Sequence, residues 1–379
     1  MAKKPAGNLT PAEEFDEFLI SKGISVGNPR ETATPPAIFY GTGIPAIDYA
    51  LGGDSGMMGG LPSGQITEIY GSNAVGKTSL IYRMIAEAQR KYPHKTHIIF
   101  DYERVMDDKY AAACGVDMGM DKLRIWRPDT IQDGFKILFA AMLRLDIGIV
   151  AFDSVAAMMP AQDLDRRNNS LDDAPIVASK SKVMSDMLTY ALVVLGKSNE
   201  TALAFINHEI ATIPQGFSSR YTPSRTTPGG DRLKYLAALR IELIFRGTVT
   251  SDKKKDFYGD AYKAGIGKEI EMYIEKFKFG NPHSKVRYQI LGGEGIDLMT
   301  PLIDTAESHG VLVRSKNTYT LTLPGYETFK VVGVKDLREA IRTNGDLRNA
   351  LTDAVGTYEM GVSRDTPPES YELPESVKF

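Results

Sequence analysis

Residues 71–78 read Gly71-Ser72-Asn73-Ala74-Val75-Gly76-Lys77-Thr78, with Ser79 next, and they follow the apolar run Ile66-Thr67-Glu68-Ile69-Tyr70. A strand that enters a glycine-rich loop closed by Lys-Thr is the sequence form of a loop that wraps nucleotide phosphates. Backbone N–H groups in such a loop converge on an anion, and the helix behind it adds the positive end of its dipole. Lys77 is then the residue that reaches the β- and γ-phosphates, and the Thr78 hydroxyl the one that holds Mg²⁺. A turn that matches the spacing by accident is the competing reading, and the strand in front argues against it.

Outward from this loop, apolar strands alternate with helical patterns from residue 40 to about 250. Strands are expected at 66–70, 97–102, 123–126, 148–153 and 202–207, and helices at 76–89, 109–114, 131–145 and 182–197. Such alternation predicts an α/β fold with a mostly parallel sheet. Ligands on such sheets bind beyond the carboxyl ends of the strands. The stretches 239–246, 269–279 and 285–291 read as an antiparallel extension of that sheet, with Lys253-Lys254-Lys255 in a solvated hairpin loop.

Four segments are expected. Residues 1–38 hold a short amphipathic helix over 11–22, with Leu9, Phe15, Phe18, Leu19 and Ile20 as its apolar face, and a Pro/Thr-rich linker over 28–36. Residues 39–297 form the core. Residues 298–362 form a small α/β module with helices near 302–308, 335–342 and 347–355 and a hairpin near 312–323. Residues 363–379 set Arg364 and Lys378 against Asp365, Glu369, Glu372 and Glu375, a net −2, and read as a disordered acidic tail.

A formal charge of −3 argues against a general basic coat for nucleic acid, although a local site can hold phosphates through backbone N–H groups. A single cysteine, Cys114, excludes an intrachain disulfide, reads as a small buried hydrophobe and fits a reducing cytosol. No apolar run reaches the length of a membrane span, and no apolar signal core follows the N-terminus. A cytoplasmic protein without a membrane partner is expected.

Three strand ends carry the remaining chemistry. Asp153 closes the strand Ile149-Val150-Ala151-Phe152 and suits the carboxylate that positions Mg²⁺ and its waters; the other reading is a turn acid. Glu103 follows Ile98-Ile99-Phe100-Asp101-Tyr102 and is either a surface glutamate or the acceptor of a proton from an attacking water. His208 closes the strand over 202–207 and is either a structural histidine or a contact to the γ-phosphate or its water. Beyond it, 209–232 is too polar and too rich in Gly and Pro for a core element. Arg220, Arg225 and Arg232 against Glu209 and Asp231 give it a charge of +1. A segment this long without structure is either an ordinary mobile loop or a functional one, and its N–H groups, hydroxyls, arginines and aromatics suit a single-stranded nucleic-acid backbone.

The chain resembles the RecA family of homologous-recombination ATPases. The residues that carry the likeness are Gly59-Gly60-Leu61-Pro62-Ser63-Gly64, the loop 71–78, Pro128-Asp129-Thr130 and Asp153-Ser154-Val155-Ala156-Ala157. Phe205-Ile206-Asn207, Thr226-Thr227-Pro228-Gly229-Gly230, Leu233-Lys234-Tyr235 and Gly293-Glu294-Gly295-Ile296 continue it. The resemblance implies that Gly71 to Ser79 hold the nucleotide and that Lys77 and Thr78 are the phosphate and metal residues. It makes Asp153 the metal-site aspartate and Glu103 the catalytic glutamate. Asp107 and Tyr110 fall where the family meets adenine. Lys276 and Lys278 match paired lysines that reach the ATP of the adjacent subunit, and alternation on a strand puts both on one face. Lys234 and Arg240 resemble interface residues. The loops at 161–179 and 209–230 resemble the two DNA loops, with Ser185, Ile213, Phe217, Arg220, Arg225, Thr227, Gly229 and Gly230 near DNA. His208 stands where the family usually has glutamine, as in phage recombinases of the T4 type, which suggests a phage or plasmid-borne recombinase.

The function so implied is an ATP- and Mg²⁺-dependent recombinase. It forms a helical filament of copies of itself on single-stranded DNA and exchanges strands with homologous duplex DNA. Mediator or single-strand-binding proteins are further partners. A hexameric DNA helicase-type motor on the same core fold is the alternative, and a non-enzymatic ATP-binding regulator a weaker one.

Overall fold

The computed structural model describes residues 36–52, 59–169, 177–196, 200–212, 224–250, 265–280, 282–308, 310–322 and 328–359, with short pieces at 15, 17–18, 21–22, 254–255 and 261–262. Its apolar runs pair into a nine-stranded sheet. The strands Leu239–Thr250, Ile66–Gly71, Ala202–His208, Ile147–Asp153, Thr96–Asp101 and Leu123–Trp126 lie side by side in that order, all parallel. Gly265–Phe277, Lys285–Leu291 and Gly295–Ile296 extend the Leu239–Thr250 edge with antiparallel pairings. The fold is therefore the expected α/β core, but Leu239–Thr250, read from sequence as part of the antiparallel extension, runs parallel to Ile66–Gly71 and belongs to the core; the extension begins at Gly265–Phe277.

The central strands are near-continuous apolar runs because both their faces are covered. On one face, Phe100, Phe152 and Phe205 stack at centroid spacings of 4.7 and 4.6 Å, with Phe135 of the helix Ile131–Met142 5.3 Å from Phe152. On the other, Ile69, Ile99, Ala151 and Ile206 pack against Leu80, Met84 and Ile85 of the helix Lys77–Lys91. Side-chain caps fix two helix starts. Thr130 accepts from the Asp133 N–H, and Asp107 accepts from the Lys109 and Tyr110 N–H groups, each answering donors that the first turn leaves unpaired.

Three further sequence expectations change. The first DNA-loop region, 161–179, is helical where it is described: Ala161–Asn169 opens it and Val177–Leu195 begins at its far end, the two tied by the Ser179 hydroxyl donating to the buried Asp163 carboxylate at 2.7 Å. The second, 209–230, is not structureless at its base, where Ile210–Thr212 pairs antiparallel with Ser224–Thr226. The hairpin near 312–323 gains a third strand. Leu312–Ser315 pairs with Thr318–Leu321, which also pairs with Phe329–Val332, a run too short to read by alternation.

The helices Met299–Ser308, Val334–Thr343 and Gly345–Glu359 close over that small sheet around Leu302, Leu321, Leu337, Ile341 and Leu351. The chain divides into two units, Met1–Pro35 and Pro36–Phe379. In the first, Phe15 and Phe18 are helical and their rings stack at 6.3 Å. Leu9, Leu19, Ile20 and the tail 363–379 lie outside the described residues.

Candidate nucleotide site

The loop 71–78 joins a central strand to the helix Lys77–Lys91, so its N–H groups crowd round a helix start at the carboxyl end of the sheet. Gly76 has φ 102, a conformation that favours glycine, and a Cβ there would also push the Ile290 Cδ1, 2.1 Å away, aside. The Lys77 ammonium is buried and donates to the carbonyls of Gly71 at 3.1 Å and Ser72 at 2.7 Å. Burial pushes its pKa down, and the carboxylates of Asp153 and Glu103 oppose that shift.

The neighbouring strand ends bring the polar residues together. Thr78 donates its hydroxyl to Asp153 at 2.7 Å. Burial pushes the Asp153 carboxyl up to about 6, Glu103 and Asp101 raise it further, and the Thr78 hydrogen bond and Lys77 oppose them. Glu103 is held beside it because the Tyr102 and Glu103 N–H groups both donate to the Asp153 carbonyl, at 2.7 and 3.3 Å. The Glu103 carboxylate accepts from the Ser154 hydroxyl and lies 3.0 Å from His208 Nε2. Burial raises its pKa, but these two partners outweigh burial and keep it below the usual carboxylate range. His208 pairs with Gly71 across adjacent strands, and its Nδ1 lies 3.5 Å from the Lys77 ammonium. Glu103, His208 and Lys77 thus form one continuous polar chain.

These residues line a cleft of about 610 Å³ together with Asn73, Ala74, Ser79 and Tyr110. The Tyr110 and Ser79 hydroxyls are 2.6 Å apart. Asp107 caps the helix that carries Tyr110. The opposite wall, absent from the sequence expectations, comes from Phe245 and Thr248 of the strand Leu239–Thr250 and from Gly265–Gly267, Lys268, Ile290 and Gly292 of the antiparallel extension. The one available signal was the glycine-spaced Gly265-Ile266-Gly267-Lys268 entering a strand. Mg²⁺ fits the donor set. Thr78 and Asp153 place a hydroxyl and a carboxylate side by side in the cleft. Among the described residues no three His, Cys, Asp or Glu side chains form a closed cage, which suits an ion that keeps waters and takes phosphate oxygens.

Lys276 and Lys278 sit elsewhere. Lys276 pairs with Arg240, and Gly71 pairs with Leu243, three residues further along the same strand. At about 3.3 Å per residue the lysines are some ~10 Å from the loop along the strand axis, at the amino end of the parallel strands. The Lys276 ammonium donates to the Lys234 and Tyr235 carbonyls at 3.0 and 2.9 Å, closing the C-terminal end of the helix Asp231–Leu236. Lys278 is exposed. Lys234 donates to the Thr226 hydroxyl at 2.7 Å. Arg240 is engaged within the chain, with the carboxylates of Glu68 at 2.8 Å and Glu275 at 2.5 Å.

The feet of the two loops meet. Gly229 and Gly230 have φ 97 and 81, and a Cβ on Gly230 would come 3.1 Å from the Ser181 hydroxyl, on the helix that carries half-buried Ser185. Thr227 is buried. The Asn207 side chain donates to the Pro228 carbonyl at 2.8 Å and to Glu68 at 2.9 Å. Arg225 lies on the strand Ser224–Thr226, and Ile213, Phe217 and Arg220 lie outside the described residues.

The family model of the RecA N-terminal domain matches residues 30–297. The chain belongs to the RecA family. Its RecA relatives include that of Aquifex aeolicus, 31% identical over 86% of this chain and 87% of the relative, and that of Aquifex pyrophilus, 31% identical over 74% and 72%. The RecA protein of Chlorobaculum tepidum is 28% identical over 92% and 91%. This kinship favours the recombinase over the helicase-type motor. Within the RecA frame, His208 occupies a strand end in contact with both the phosphate-loop lysine and the candidate base. Among the described residues no helix is long and apolar enough to cross a membrane.

Proposed function

We propose that this RecA-family chain is an ATP-dependent DNA recombinase that forms a helical filament on single-stranded DNA and pairs it with homologous duplex DNA in recombination and repair. The observation that carries the reading is the separation of two sets of lysines on one sheet. Lys77 lies at the carboxyl end and Lys276 and Lys278 at the amino end. A phosphate held by Lys77 meets Lys276 and Lys278 only when a second copy stacks its amino end against that cleft. Such a head-to-tail interface does not close and generates a filament. Lys234 and Arg240 lie on the same side as the trans lysines, near that seam.

ATP binds across the seam, its phosphates in the loop Gly71 to Ser79 and its base against Tyr110, with Asp107 behind. Thr78 and Asp153 are the residues that would hold Mg²⁺, which would supply neutralisation of phosphate charge there. Glu103 orients a water and accepts its proton. A carboxylate held below its usual range is a weak base, so positioning and charge stabilisation by Lys77, Lys276 and Lys278 carry most of the rate effect. His208 lies where a γ-phosphate and the attacking water are both in reach. Single-stranded DNA runs past the two loops, close to Ser185, Thr227, Gly229 and Gly230, with Ile213, Phe217, Arg220 and Arg225 on the second loop. Few contacts per subunit suffice, because neighbours repeat them. The single cysteine suits a cytoplasmic setting, and mediator or single-strand-binding proteins are the natural further partners.

The test is ATP turnover with and without single-stranded DNA, with electron microscopy in a slowly hydrolysed ATP analogue. DNA-stimulated turnover and open helical filaments are expected. Closed rings would overturn the reading.

A further inference from the structure

Lys268 belongs to neither the phosphate loop nor the paired lysines, yet its ammonium donates to the Ala74 carbonyl at 2.7 Å. It stands on the strand Gly265–Phe277, opposite Thr248 on one side and Ile290 on the other, and lines the nucleotide cleft. Its side chain is exposed, and among the described residues it makes no ion pair with a carboxylate. Ala74 holds a left-handed φ of 55 at the tip of the loop.

The Ala74 carbonyl and the Val75 N–H share one planar trans peptide, so the two point in opposite directions. A cation that holds the carbonyl outward therefore aims the N–H inward, toward the space the loop encloses. Lys77 holds the Gly71 and Ser72 carbonyls of the same loop from inside the cleft. Two lysines from different parts of the chain thus hold three carbonyls of one loop, those of Gly71, Ser72 and Ala74.

We propose that Lys268 is a positioning residue for the nucleotide: by tying the antiparallel extension to the Ala74 carbonyl, it presets the Val75 N–H for a phosphate oxygen. The proposal rests on the reading of 71–78 as a phosphate loop. An N–H preset in this way serves ATP and ADP alike, so Lys268 contributes to binding of both states and not to the chemical step.

The experiment compares Lys268→Met and Lys268→Arg in the full chain. ADP–Mg²⁺ affinity is measured by calorimetry without DNA, and KM and kcat for ATP with single-stranded DNA. Lys268→Met is expected to weaken ADP about fivefold, the effect of one charge-assisted hydrogen bond at an exposed site, and to raise KM in step with kcat unchanged. Lys268→Arg is expected to restore both. ADP affinity within about twofold of the parent protein in Lys268→Met, or a fall in kcat at unchanged KM, would overturn the proposal. ADP binding is read without DNA or strand exchange, so loss of recombinase activity in the parent chain would count against the function and leave this inference standing.

Discussion

At the amino end of the central sheet a buried arginine is answered by two carboxylates, while at the carboxyl end buried charges stand against their own burial. Arg240 bridges Glu68 and Glu275, its guanidinium lies 4.8 Å from the centre of the Tyr70 ring, and Asn207 takes the other oxygen of Glu68. Glu68 is fully buried, and its charge is neutralised inside the subunit. Twelve ångströms of strand or less separate this network from Asp153, Glu103 and Lys77, by the ~3.3 Å rise per residue. There the Asp153 carboxyl is pushed up to about 6 and the Lys77 ammonium pushed down, each first by burial. Charge that stabilises a fold is matched within it. Charge that burial perturbs inside a cleft marks a site of chemistry.

Three substitutions sharpen or break this contrast. Arg240→Ala strips a buried carboxylate of its cation and is expected to destabilise the chain by about 3–5 kcal/mol, measured by urea unfolding. A loss under about 1 kcal/mol would mean that Glu68 is not held by Arg240 and that the two ends do not differ. Glu103→Gln is expected to cut DNA-stimulated ATP turnover by about 10²-fold or more while leaving the melting temperature in place. Turnover near the parent rate would remove Glu103 from the chemistry.

The third turns on pH. The folded Asp153 pKa of about 6 lies above the 3.8 of an unperturbed aspartate, so the stability linked to this group is complete below 3.8 and is lost as pH rises through about 6. Above pH 6 the ionised carboxylate opposes folding of the nucleotide-free chain. Asp153→Asn is therefore expected to raise nucleotide-free stability at pH 8 by about 1–3 kcal/mol, with the gain shrinking toward pH 5. Equal gains at both pH values would show that burial of the charge is not the cause. Nucleotide protection in the parent chain should weaken over the same window as the carboxyl takes up its proton.

Much of this was legible beforehand because it is local. The loop 71–78 declares itself by spacing, and Asp153, Glu103 and His208 each close an apolar run, so a parallel sheet brings them to one edge without further information. The far wall of the cleft was illegible. Ile266, Lys268 and Ile290 reach the loop through antiparallel pairings that no local pattern specifies, and Phe245 through the far half of the strand that pairs with Ile66–Gly71. Arg240 looked like an interface residue from the family likeness, and its burial among Glu68, Tyr70 and Glu275 needs three strands in register to appear. The pairing of buried Asp163 with Ser179, which ties two helices at the first loop, was illegible for a related reason, since the partners are 16 residues apart in sequence.

Asn207 has a mechanical consequence. Its backbone belongs to the strand whose last residue is His208, and its side-chain amide grips the peptide just ahead of the Gly229-Gly230 hinge. The imidazole that closes the cleft and the amide that holds the foot of the second loop are therefore neighbours on one strand, so neither can shift along it without the other.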